Sequence, residues 1–168
     1  MPSRAEQAKA ALIERASEIA RGRLGEKRGA QAAHFVKAFY ANVPPDDLLG
    51  EEPETLFAAA LALWTFGAER MPGTAKVRIF NPNPDEHGWR SSHTIVEIVN
   101  DDMPFLVDSV TAAINQRDLT VHLVIHPVVR VERDAKGRIV ATDSKDAAPE
   151  SFMQLRIDEL LDPKRHTE

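Results

Sequence analysis

The sequence predicts an α+β fold, with helices at the N-terminal end followed by a mostly antiparallel sheet built around one β-α-β unit. Three observations carry this prediction. Apolar residues recur at helical spacing through about the first seventy residues, they change to alternation after Thr74, and one tight helical stripe at 106–114 lies between two apolar strands.

The first helix opens on a capping box, Ser3 and Glu6, whose side chains satisfy free amides at a helix start. Ala5, Ala8, Leu12, Ala16, Ile19 and Leu24 follow at helical spacing, with Gly22 and Gly25 as its stop. A second helix is expected from near Gly29 to Asn42, with Ala32, Phe35, Val36, Phe39 and Tyr40 on one stripe and Pro44-Pro45 ending it. Pro53 suits the first turn of a third. Leu56, Phe57, Ala60, Leu63, Trp64 and Gly67 form its buried face, and Met71-Pro72-Gly73 closes it.

Lys76–Phe80 alternates, as a half-exposed strand does. Residues 81–88 are turn chemistry and unsuited to a ladder. Residues 93–99 are nearly all apolar, the pattern of a central strand. At 100–104 (NDDMP) a helix begins, with an aspartate capping its amides and Pro104 where a missing N–H costs little. Its stripe is Leu106, Val107, Val110, Ala113 and Ile114.

A long strand is expected over 120–133, with Val121, Leu123, Ile125, Val129 and Val131 facing one way. Pro127 argues for an edge or a bulge there. Residues 134–137 form a hairpin turn into 138–142, and Met153, Leu155 and Ile157 alternate in a last strand. The crossover should be right-handed. This organisation divides the chain into a helical lead-in (1–73), a sheet module (74–161) and a tail (162–168).

Composition narrows the function. The absence of cysteine removes disulfides and thiolate metal sites. A net charge of −5 without a basic run argues against nucleic acid as a partner. No apolar run approaches the roughly 20 residues that cross a bilayer, and 1–23 is charged throughout, so neither membrane anchorage nor a secretory signal is expected. The expected location is cytoplasmic.

Candidate sites were weighed against structural roles. Gly22, Gly25 and Gly29 lack both the spacing and the preceding strand of a nicotinamide-binding loop, so no cofactor site is expected in this chain. His122 and His126 share a strand face, but four residues span about 13 Å, too far for one zinc ion, so no metal site is expected. A Ser109, His122 and Asp108 triad lacks the G-x-S-x-G elbow. Asp101 and Asp102 suit either acid–base chemistry, which would make the chain a small independent enzyme, or the helix cap that Pro104 and the following stripe favour. No catalytic residue is assigned.

Two segments carry a family resemblance: GTAKVRIFNP at 73–82 with Gly88-Trp89, and VEIVNDDMPFLVDSVTAAINQRDLTVHLVIHPVVRVER at 96–133. They resemble the N-terminal region of the large NAD-dependent glutamate dehydrogenases of bacteria, and FYANVPPDDL with the 56–70 helix is similar too. Within this region, a strand, then D-x-P-x-L-L, then a helix is similar to the opening of ACT domains, βαββαβ ferredoxin-like modules that bind amino acids and pair edge to edge. Residues 102–107 occupy that motif, with Phe105 where effector sites commonly have glycine.

The resemblance implies a non-catalytic regulatory or oligomerisation segment. Its parent would oxidise L-glutamate to 2-oxoglutarate and ammonia with NAD, using motifs far downstream. The abrupt stop after one last strand suggests a piece of that longer protein, whose remainder, or a second copy, would be the partner. An amino-acid effector is the alternative. Its ammonium would meet Asn100, Asp101, Asp102 and Ser109, with His122 on the neighbouring strand.

Overall fold

The computed structural model describes residues 1–161; the tail expected at 162–168 lies outside the described residues. Ser3 opens the first helix as expected, its Oγ accepting the Glu6 amide at 3.1 Å, and α1 spans Arg4–Leu24. Gly25 makes the link with φ +83°, which side-chain-bearing residues avoid, and α2 (Glu26–Tyr40) begins at once, before the expected start at Gly29. Gly29 falls inside α2 because a Cβ there would lie 2.8 Å from the Arg21 Cα; bare backbone lets the two helices lie close. Gly22, expected as a stop, stays inside α1.

After a 3-10 turn at Pro45–Asp47, α3 spans Pro53–Phe66, ending short of the expected close at 71–73. Its end is pressed on the sheet: a Cβ on Gly67 would run into the Phe152 ring. The segment read as pure turn contains a short helix, α4 (Pro84–His87), with Asn83 Oδ1 capping the Glu86 amide at 2.8 Å.

The strands are β1 (Lys76–Phe80), β2 (Thr94–Asp101), β3 (Val121–Ile125), β4 (Val128–Arg133), β5 (Ile139–Thr142) and β6 (Ala148–Ile157). They form one antiparallel sheet in the order β1-β2-β6-β4-β5, with β3 also on β6. The single strand expected over 120–133 is broken at Pro127, yet both halves flank the same side of β6. The Phe152 amide donates to the Pro127 carbonyl at 3.1 Å and carries the ladder across the break. The helix α5 (Leu106–Asn115) joins β2 to β3, which run parallel with β6 inserted between them. The result is α+β with an ACT-like sheet, as the sequence predicts.

Side-chain alternation sends the two faces to different helices. Val99 and Phe152 join α1, α2 and α3 in one core, together with Ile125, Val129 and Val131. Phe35, Trp64 and Phe152 lock α2, α3 and β6 with ring centroids 4.9–5.8 Å apart, contacts that each add about 0.5–1.5 kcal/mol beyond burial. This core spans both sides of residue 73. Val96, Ile98, Met153 and Leu155 face α5 instead. A register shift between Val121 and Leu123 moves Val121 to the α5 face, so the one-sided stripe expected over 121–131 holds only from Leu123 onward.

The cap expected on α5 is overturned. Its N-cap is Phe105, with no side-chain hydrogen bond, in a left-handed conformation at φ +63°. The aspartates are engaged elsewhere, and Phe105 takes a backbone geometry that glycine adopts without strain.

Candidate functional site

The end of β2 brings Asn100, Asp101 and Asp102 together beside the start of β6, Asn100 opposite Ser151 and Asp101 opposite Glu150. Asp101 is tied down. Its Oδ1 accepts from Arg70 Nη2 at 2.7 Å and its Oδ2 from the Gly73 amide at 2.8 Å. The Arg70 hydrogen bond, helped by the Gly73 amide, holds the Asp101 carboxyl below the usual carboxylate range. Arg70 also bonds Glu150, which Arg133 grips in turn, so Asp101 is the outer member of a buried ion network pinning the end of α3 to the sheet.

Asp102 lies one residue further out and accepts the Ser151 hydroxyl at 2.9 Å. Ser151 Oγ is also 3.0 Å from His126 Nε2. A hydroxyl has one proton, and Ser151 gives it to Asp102, so the His126 proton sits on Nε2 and points at Ser151. This wiring is the reverse of an activated nucleophile, in which the serine proton goes to histidine, and Ser151 is fully buried. Burial holds the His126 pKa below its ordinary value, with the Asp102 charge opposing.

Ser109 is exposed in the first turn of α5, its amide donating to the Phe105 carbonyl at 2.9 Å. His122 is elsewhere. It bonds Asp158 at 2.7 Å and stacks on His93, ring centroids 4.6 Å apart. Its neighbour Val121 pairs with Ile157, six residues along β6 from Ser151, a separation of about 20 Å. The sheet therefore groups Asn100, Asp101 and Asp102 at one end and sends His122 to the other. His126 takes the place near Asp102 that His122 was expected to fill.

Two residues that sequence reasoning left out stand apart. Trp89 is buried, and its Nε1 has no hydrogen-bond partner among the described residues; the same holds for Arg156 Nε. A buried donor left unpaired costs about 1–3 kcal/mol. Both line one cavity of about 190 Å³ on the helical side of the sheet. The sequence carried little signal for this: Arg156 occupies the polar position of the alternation between Leu155 and Ile157, as a solvent-facing residue would, and only the structure shows that face covered.

Three comparisons bear on family. Residues 35–168 match the family described as "Glutamate dehydrogenase, ACT1 domain". The chain is 37% identical over 163 residues to an NAD-specific glutamate dehydrogenase of Halomonas elongata, an alignment covering 94% of this chain and 10% of that protein. It is 34% identical over 140 residues to the NAD-specific glutamate dehydrogenase of Pseudomonas aeruginosa, covering 80% of this chain and 9% of the relative. The chain thus spans about a tenth of the relatives it matches. No solved structure matches. Among the described residues no helix is long and apolar enough to cross a membrane. A family match over most of the chain, on a sheet with β-α-β at its centre, places this chain in the glutamate dehydrogenase ACT1 domain family.

Proposed function

We propose that this chain is a non-catalytic regulatory and oligomerisation segment of a cytoplasmic NAD-dependent glutamate dehydrogenase. The longer protein would convert L-glutamate to 2-oxoglutarate and ammonia, with NAD held outside residues 1–168. The relatives' names support the parent activity. The observation that carries the assembly role is the outer edge of β3. Among the described residues this strand pairs only with β6, whereas β4 beside it is covered by β5. Its sequence, VHLVI, is apolar apart from His122. Exposed edges of this kind are covered or paired in native proteins, and a second copy or a later part of the longer chain would supply the missing strand.

Sedimentation velocity over a concentration series tests this. A reversible dimer is expected, and a strict monomer at every concentration removes self-pairing. Glutamate-dependent NADH formation by the chain alone should be nil; turnover would overturn the non-catalytic assignment.

A further inference from the structure

The cavity carrying the two orphan donors lies away from the β2 end; it sits beside β3, whose Leu123 pairs with Arg156 and whose His122 stacks on His93 of the wall. Its wall is built from five parts of the chain: Tyr40 of α2, Glu51 of the link before α3, Thr55 and Ala59 of α3, Trp89 and Ser91 of the α4–β2 connection, and Arg156 of β6. Two other polar groups on the wall are committed. The Tyr40 hydroxyl donates to the Leu56 carbonyl at 2.6 Å, and Ser91 Oγ accepts the His93 amide at 3.1 Å. Along the sheet, Glu97 accepts from Arg78 and from Gln154 Nε2, while Gln154 Oε1 is buried with no partner among the described residues. Arg156 has no ion-pair or hydrogen-bond partner among the described residues, although Glu51 is on the same wall.

An indole N–H only donates, and a guanidinium is a planar set of donors that never loses its charge. Together they ask for an acceptor that is anionic and flat. Carboxylate meets that requirement, because its two oxygens match the guanidinium fork. At about 30 Å³ per water, the space holds roughly six waters' worth of ligand, the scale of a small organic acid. Glu51, exposed on the same wall, would meet an ammonium if the acid carried one.

We infer that this cavity binds a small organic carboxylate, its anionic end held by Arg156 and the Trp89 N–H. The inference is independent of the assembly reading, since binding is measured whatever the oligomeric state.

The test is calorimetric titration of the 168-residue chain with L-glutamate, 2-oxoglutarate and sodium sulfate, alongside Arg156→Gln and Trp89→Phe variants. At least one carboxylate should bind saturably at millimolar concentration or below. Arg156→Gln should weaken it tenfold or more, and Trp89→Phe, which keeps the ring and loses the donor, several-fold. Should either variant fail to fold, the wild-type amide spectrum serves: one of the two indole N–H signals, Trp89 or Trp64, moves with carboxylate. Assignment through Trp64→Phe must give the moving signal to Trp89. No heat and no indole shift with either acid overturns the proposal. So does a response to sulfate matching that to the acids, or carboxylate binding unchanged by Arg156→Gln.

Discussion

Arg133 holds Glu150 by two parallel bonds, Nε to Oε2 and Nη2 to Oε1, both at 2.9 Å, with the two side chains almost wholly buried. Arg70 Nη2 reaches the same carboxylate at 2.9 Å and extends the grip to Asp101. The remaining donors of Arg133 go to the carbonyls of Gly67, Ala68 and Gly137. One acid thus fastens the end of α3 and the β4–β5 hairpin to β6.

Glu150→Gln leaves the Arg133 guanidinium buried without its counter-charge and Arg70 with Asp101 alone, and breaking one side of a buried pair costs about 3–5 kcal/mol. Urea unfolding should show a loss of that order with an unchanged slope. A loss below about 1 kcal/mol, the scale of exposed pairs, would mean that the network is not what holds α3 down.

Glycine substitutions should split by site. At Gly137, φ is +81° and a Cβ would meet the Arg70 carbonyl oxygen at 2.6 Å, while the Arg70 amide donates to the Gly137 carbonyl at 2.9 Å. Neither backbone can yield, so Gly137→Ala should destabilise by about 2 kcal/mol or more, strain and clash combined. Gly22 sits inside α1 with open space around its Cβ position. Gly22→Ala should stabilise by about 0.5–1 kcal/mol. Thermal unfolding of the pair checks the sign of each.

Phe105 is exposed and held at φ +63°. A left-handed residue with a Cβ costs roughly 1–2 kcal/mol, and an exposed ring recovers little of it. Phe105→Gly should therefore leave the isolated chain equally or more stable, despite the added freedom of the unfolded glycine. A clear loss of stability in calorimetry would show that the ring packs against something that holds it.

Acid should weaken the Arg70–Asp101 link. The Asp101 pKa is depressed when folded, so its contribution is complete above the unfolded carboxylate value of about 3.9 and fades as pH falls through the lower folded value. Asp101→Asn should lower the urea midpoint at pH 7, and the gap from wild type should narrow towards pH 3. Glu97 runs the other way. Burial raises its pKa against the Arg78 charge, so the folded state takes up a proton more readily than the unfolded chain as pH falls. Glu97→Gln should flatten that opposing trend; identical pH profiles for both variants and wild type would contradict these assignments.

Much of the architecture was legible because helix and strand periods are written between near neighbours. The stripe of α3 and the alternation of β1 are visible within a few residues, and Pro127 announces the break between β3 and β4. The cap of α5 misled for an equally local reason: Asp101 and Asp102 have the chemistry of a cap, but Arg70 and Ser151 compete for their oxygens and win.

The sequence by itself determined which segments became helices and strands, which sides of them are apolar, and the family to which the chain is similar. Tertiary structure alone decided what the polar residues do. Arg70 meets Glu150 across 80 residues, His122 parts from Asp102, and Trp89 comes to share a wall with Arg156. The reason is geometric: apolar burial is non-directional and tolerates any partner on the correct face, whereas a hydrogen bond or ion pair needs atoms within about 3 Å at set angles. That depends on strand register and order, which no local pattern specifies.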